Sequence, residues 1–146
     1  MIKAFEERHI PDAVTLEELC FSEPWSEKAF HESLSSSLSH FLVWEEEKAV
    51  GYIGLYAVSG EGSITNVAVH PEKRGQGIGE KLVREAIRTG ARLKLEYITL
   101  EVRESNIPAR RLYEKCGFRD MGKRKNFYSK PREDAVIMNY FFDKDR

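Results

Sequence analysis

Residues 64–79, ITNVAVHPEKRGQGIG, run from a strand-like alternation through a tight glycine-rich loop straight into a helical pattern. That order builds an anion site. Gly75, Gly77 and Gly79 lack side chains, so the backbone can turn sharply and approach a ligand closely. The first N–H groups of the following helix point outward beside the positive end of its dipole. Spacing separates three phosphate-binding designs. The pattern GxxxxGK[ST] is absent, and GxGxxG fails because Glu80 stands where the third glycine belongs. What fits is [RQ]xxGx[GA], met by Arg74, Gly77 and Gly79, beside the plain alternative of a glycine-rich turn that binds nothing.

Around this stretch the chain has the size of one domain, 1–146, long enough to bury a substantial core. Lys plus Arg number 23 against 24 Asp plus Glu, so no whole-molecule field attracts nucleic acid. Cys20 and Cys116 are far apart and in no metal-ligand spacing, and the four histidines, His9, His31, His40 and His70, read as surface or turn residues; no metal is expected. Met1 leads into the charged segment KAFEERH, and no run approaches the ~20 apolar residues of a membrane span. A cytoplasmic protein with reduced thiols and no membrane partner is the expectation.

Residues 2–7 read as a short strand, after which Pro11 and Asp12 open a helix with Val14, Leu16 and Leu19 inward. Ser26 suits the N-cap of a second helix, following Trp25, with Ala29, Phe30 and Leu34 inward. Strands at 41–44, 50–58 and 63–69 form an antiparallel meander. Past the glycine loop, Ile78, Leu82, Val83, Ala86 and Ile87 recur at helical spacing. The strand 97–103 turns Ile98, Leu100 and Val102 to one side and Thr99 and Glu101 to the other. Ser105 suits the cap of a further helix, ended by Gly117, and strands near 118–127 and 134–142 flank a polar loop with Pro131.

A meander followed by strand, helix, strand, helix and a final strand pair implies a mixed sheet covered by helices, of the α/β or α+β class. The ordered motifs resemble the GNAT superfamily of acyl-CoA-dependent N-acetyltransferases over nearly the whole chain. The resemblance implies about seven mostly antiparallel strands and about four helices, with a bulge and splay between the fourth and fifth strands that form a slot for the pantetheine arm of acetyl-CoA.

Acyl transfer from a thioester to an amine poses two proton problems. A peptide α-amino group, with a pKa near ~8, must lose its proton, and the departing thiolate, whose thiol has a pKa near ~8.5, must gain one from a donor such as a phenol. Glu101 is the candidate base, because it sits near the C-terminal end of a central strand, where crevices open in α/β sheets. It must be partly desolvated or work through an ordered water; the plain alternatives are a solvated strand-end glutamate or an ion-pair partner of Arg103. Tyr113 shares a helical stripe with Ala109, Leu112 and Cys116, so it is either core or the proton donor. Asn106, in the first turn of that helix, suits either a pantetheine amide or a cap.

The segment LEVRESNIPARRLYEKCGF at 100–118 is similar to the LEVRxSNxxAxxLYExxGF segment of RimI-type ribosomal-protein-alanine N-acetyltransferases. EPWSEKAF at 23–30 and RKNFYSKPREDAVIM at 124–138 resemble two further segments of that family. The resemblance implies that Glu101 accepts the amine proton and Tyr113 supplies the thiolate. It also assigns Val67, Ala68, Val69 and Asn106 to acetyl-CoA and Arg74, Gly75, Gln76, Gly77, Ile78, Gly79 and Glu80 to its pyrophosphate. Trp25, Tyr128 and Asp134 become acceptor-site candidates, although Trp25 equally suits a helix anchor and Asp134 a partner of Arg132. Two departures stand out: Gln76 breaks the basic run before GxG, and Phe127 replaces the first tyrosine of the family's pair. The implied activity is direct acetyl transfer to a protein N-terminus, of a ribosomal protein beginning with Ala, by a monomer. The alternatives are transfer to an internal lysine or small amine, and a silent acyl-CoA-binding module.

Overall fold

The computed structural model describes residues 1–142, whose elements follow one another along the chain. Strand β1 (Ile2–Ala4) and a 3-10 turn (Glu7–His9) lead into helices α1 (Ile10–Cys20) and α2 (Glu27–Leu34). The meander is β2 (Leu42–Glu45), β3 (Ala49–Val58) and β4 (Glu61–Val69), followed by a 3-10 turn (Pro71–Lys73) and α3 (Ile78–Arg92). Then come β5 (Tyr97–Arg103), α4 (Ile107–Lys115), β6 (Arg119–Ser129) and β7 (Arg132–Phe141).

The seven strands form one sheet in the order β1-β2-β3-β4-β5-β7-β6, antiparallel throughout except for the parallel pair β4–β5. That exception follows from connectivity, because the crossover helix α3 lies between them. Alternation along β3 splits the core. Ile53 and Leu55 join Leu82, Val83 and Ala86 of α3 and Tyr113 of α4 on one face. Tyr52 joins Ile10, Leu16 and Phe30 of α1 and α2 on the other.

Two local features open the sheet. Strands β4 and β5 pair only from Glu61↔Tyr97 to Ser63↔Thr99, so Val67–Val69 and Leu100–Arg103 face each other unpaired. A bulge in β4 enforces this: Ile53 pairs with Val67 and Leu55 with Ile64, which sets Thr65 and Asn66 opposite the single residue Gly54. Position 54 has no room for more, since a Cβ there would lie 2.4 Å from Thr65 Oγ1 and 2.7 Å from the Phe41 ring.

Several expectations change in detail. In α1 the buried stripe is Ile10, Ala13, Leu16 and Glu17, and Leu19 is exposed, because a glutamate with polar partners takes the inward position. His9 is buried rather than on the surface. Its Nδ1 accepts the Glu6 N–H at 2.9 Å, so Nε2 carries the proton toward Glu45 Oε2 at 3.0 Å. Asn106, not Ser105, caps α4, its side chain accepting from the Ala109 N–H at 3.3 Å. Ser26 caps α2 as expected.

Candidate active site

The splay between β4 and β5 opens onto a cavity of about 600 Å³ that runs to the N-terminus of α3. Val67, Ala68 and Val69 form one wall, Asn106 and Tyr113 of α4 another, and Arg74, Gly75, Gly77, Ile78, Gly79 and Glu80 the far end. Of the residues assigned to the cofactor, Gln76 alone does not line it. Gly75 and Gly77 both have φ +81°, and no atom lies within 4 Å of where a Cβ would sit on either, so their backbone is bare to the cavity. These features fit a pyrophosphate: unpaired helical N–H groups, the positive dipole end and an unobstructed glycine backbone.

Two charged side chains at this end behave differently from the expectation. Glu80 turns away from the loop, its oxygens 2.9 Å from Lys115 Nζ and 2.9 Å from Arg84 Nε. Lys115 first and Arg84 second hold its carboxyl below the ordinary range, so its charge is compensated where phosphates would otherwise meet repulsion. Arg74 folds back, donating from Nε to the Val69 carbonyl at 3.3 Å and from a terminal nitrogen to Cys20 Sγ at 3.4 Å. The structure adds Cys20, Lys73, Pro108, Ala109 and Leu112 to the lining. Only Lys73 carried a local signal, its charge beside the loop; Cys20 arrives from α1, 54 positions before Arg74.

Tyr113 is 8 % exposed. Burial, and after it the neighbouring Tyr128 and Cys116, pushes its hydroxyl above the ordinary phenol value, so the group stays protonated. Tyr128 is shifted up as well, by burial first and the charge of Glu101 second. Tyr128 therefore lies within electrostatic reach of Glu101 on one side and Tyr113 on the other. Glu101 itself is partly exposed, with Arg124 Nε 3.5 Å from Oε2. Arg103 is not its partner: the guanidinium donates to the carbonyls of Lys130 and Pro131 and to Glu133, and stacks on Tyr128 at 4.3 Å.

Glu101, Trp25, Tyr128 and Asp134 do not line the 600 Å³ cavity. Trp25 packs on Phe30 and Phe41 at 5.3 and 6.1 Å between centroids, and its backbone N–H donates to Glu17 Oε1 at 2.8 Å, so it anchors its loop. Asp134 accepts the N–H of Asn126 at 2.9 Å, which fixes the irregular backbone of β6 where Asn126 has φ 54°; Arg132 is not its hydrogen-bond partner. Sequence gave no sign of an arch formed by loops more than 100 residues apart. Ser22 Oγ donates to the Lys130 carbonyl and Ser129 Oγ to Glu23 Oε1, each at 2.5 Å. These contacts join the α1–α2 loop to the β6–β7 turn.

A bulged β4, a β4–β5 splay and a glycine loop feeding α3 define an acyltransferase architecture, and the family model for the GNAT acetyltransferase family matches residues 10–118. The chain belongs to that family. A Bacillus subtilis relative, provisionally named a [ribosomal protein bS18]-alanine N-acetyltransferase, is 42% identical over 125 residues, covering 84% of this chain and 83% of its own. The crystal structure of the ribosomal-protein-S18-alanine N-acetyltransferase from Escherichia coli is similar at a TM-score of 0.88 and 29% identity, over 100% of this chain and 97% of that one. A chain of the NatC complex bound to Gag peptide and CoA matches at a TM-score of 0.85 and 25% identity, over 98% of both.

Proposed function

We propose that this protein transfers acetyl from acetyl-CoA to the α-amino group of a protein N-terminus, in the first instance an N-terminal alanine of a ribosomal protein. The observation that carries the reading is the joint arrangement of the glycine-backed cavity, the nearby Glu101–Tyr128–Tyr113 group and the arch of the two loops. In this reading the two joined loops form the acceptor side of the site, where a chain end enters tip first more readily than a lysine on a continuous chain. The names of the Bacillus subtilis and Escherichia coli relatives point to the same acceptor.

In this reading Gly75, Gly77 and the first N–H groups of α3 bind the pyrophosphate, while backbone along Val67–Val69 orients the thioester and can polarise its carbonyl. Glu101 takes the proton of the attacking amine as the C–N bond forms. Tyr113 donates toward the sulfur as the C–S bond breaks; its raised pKa keeps the proton on the phenol until the thiolate develops. The Cys20 thiol is engaged, donating to the Val69 carbonyl and accepting from Arg74, which favours direct transfer over an acyl-enzyme. The enzyme is taken to act as a single-domain monomer in the cytoplasm, in keeping with its two unpaired cysteines.

N-terminal peptides from cells with and without the protein provide the test in its biological setting. A ribosomal protein whose Ala terminus is unmodified only in its absence is expected. Unchanged termini together with newly unmodified lysines or small amines would overturn the reading.

A further inference from the structure

Glu17 is completely buried, at a stripe position of α1 where periodicity calls for an aliphatic residue. Three donors from three elements converge on it. The Tyr52 hydroxyl of β3 and the Asn66 side-chain amide of the β4 bulge reach Oε2 at 2.5 and 3.0 Å, and the Trp25 backbone N–H reaches Oε1 at 2.8 Å. A buried carboxylate is costly unless its hydrogen bonds are met, and packing alone would be served as well by an apolar side chain. The arrangement even leaves the Asn66 Oδ1 buried with no partner among the described residues, because Glu17 fixes which end of the amide faces it.

What Glu17 ties together explains why such a group is kept. Asn66 immediately precedes Val67–Val69, the wall of the cofactor cavity. Trp25 belongs to the loop whose Ser22 and Glu23 build the arch. We propose that Glu17 is a positioning residue that couples the α1–α2 loop to the β4 bulge, so that the wall receiving the amine and the strand receiving the thioester keep one registration. This rests on the acetyl-transfer reading. Loss of such registration acts on the reacting geometry, and a displacement of about 1 Å costs roughly 10²-fold in rate.

Amide hydrogen exchange and steady-state kinetics on the full chain test it together. In the parent protein, coenzyme A slows exchange at 67–79 and also at 22–26, although Ser22 to Ser26 do not line the cavity. In Glu17→Gln an amide faces donors; coenzyme A no longer protects 22–26, and kcat/KM for an Ala-initiated peptide falls ~10- to 10²-fold. The Kd for coenzyme A shifts less than about threefold, since the phosphate end is untouched. Adding Asn66→Asp to Glu17→Gln restores a donor–acceptor pair and recovers most of the lost kcat/KM. Absence of coenzyme A protection at 22–26 in the parent overturns the proposal even if Glu17→Gln does not fold. So does a Glu17→Gln protein that loses thermal stability but keeps kcat/KM, or a double variant that recovers nothing. If the parent acetylates no peptide while the linked protection persists and vanishes in Glu17→Gln, the acetyl-transfer reading falls and the coupling stands.

Discussion

Glu101→Gln keeps the size of the side chain and its place opposite Ile137 in β7 while removing its ability to take a proton. Loss of a general base of this kind costs ~10²-fold or more in kcat/KM, and coenzyme A affinity should be unchanged, as Glu101 lies outside the cavity lining. Isothermal titration beside a kinetic assay separates the two quantities. Tyr113→Phe preserves the buried ring and its packing on Phe118, so the melting temperature should hold while kcat drops ~10- to 10²-fold, the scale of a hydrogen bond to a charged group. Because burial raises the Tyr113 hydroxyl above the ordinary phenol value, its deprotonation should impose no alkaline limb on kcat below pH ~10. A fall in rate centred below that pH and absent from Tyr113→Phe would contradict the assigned environment. At this scale the sequence was informative where a residue's placement depends on its own element: the burial of Tyr113 followed from a helical stripe. It was silent where the role depends on distant partners, as with Glu17, whose three donors lie 8, 35 and 49 positions away.

Among the elements, the glycine loop and the β4 bulge make distinct demands. Gly77→Ala meets no neighbour, so its cost is conformational: a φ of +81° should cost an L-residue about 1–2 kcal/mol and loosen the loop that holds pyrophosphate. Gly54→Ala has ordinary backbone freedom but drives a methyl into Thr65 and Phe41, for which about 1–3 kcal/mol of destabilisation is expected by chemical denaturation. A neutral Gly54→Ala would mean that the bulge yields easily. The strand β5 was legible to the residue, since alternation from Ile98 to Val102 marks both its ends. The bulge came only with the family resemblance, because an extra residue in β4 is a property of its pairing with β3 and leaves no mark in the alternation of one strand. Nor was the register of β7 legible, where the expected polar loop around Pro131 contracts to the two residues between Ser129 and Arg132.

For the whole molecule, order along the chain carried the fold class, since meander, crossover helix, strand, helix and strand pair admit few arrangements of one sheet, and the splayed form of that sheet came with the family resemblance. Electrostatic linkage across it was hidden. Glu45 of β2 meets Arg8, Lys3 and His9, and these partners, Arg8 foremost, hold its carboxyl far below the ordinary value of 4.5. A depressed folded-state pKa contributes stability that is present above the ordinary value and lost as pH falls below it. The difference in melting temperature between the parent and Glu45→Gln should therefore be present at pH 7 and shrink steadily from pH 4.5 downward; a difference that is flat across that range would contradict this. The central claim, that the arch and the splay select a chain end, is met most directly by one peptide carrying both a free N-terminal alanine and an internal lysine. After incubation with the protein and acetyl-CoA, fragment mass spectrometry should place the acetyl group on the alanine nitrogen and leave the lysine free. Acetyl on the lysine, with the terminus free, would contradict the account.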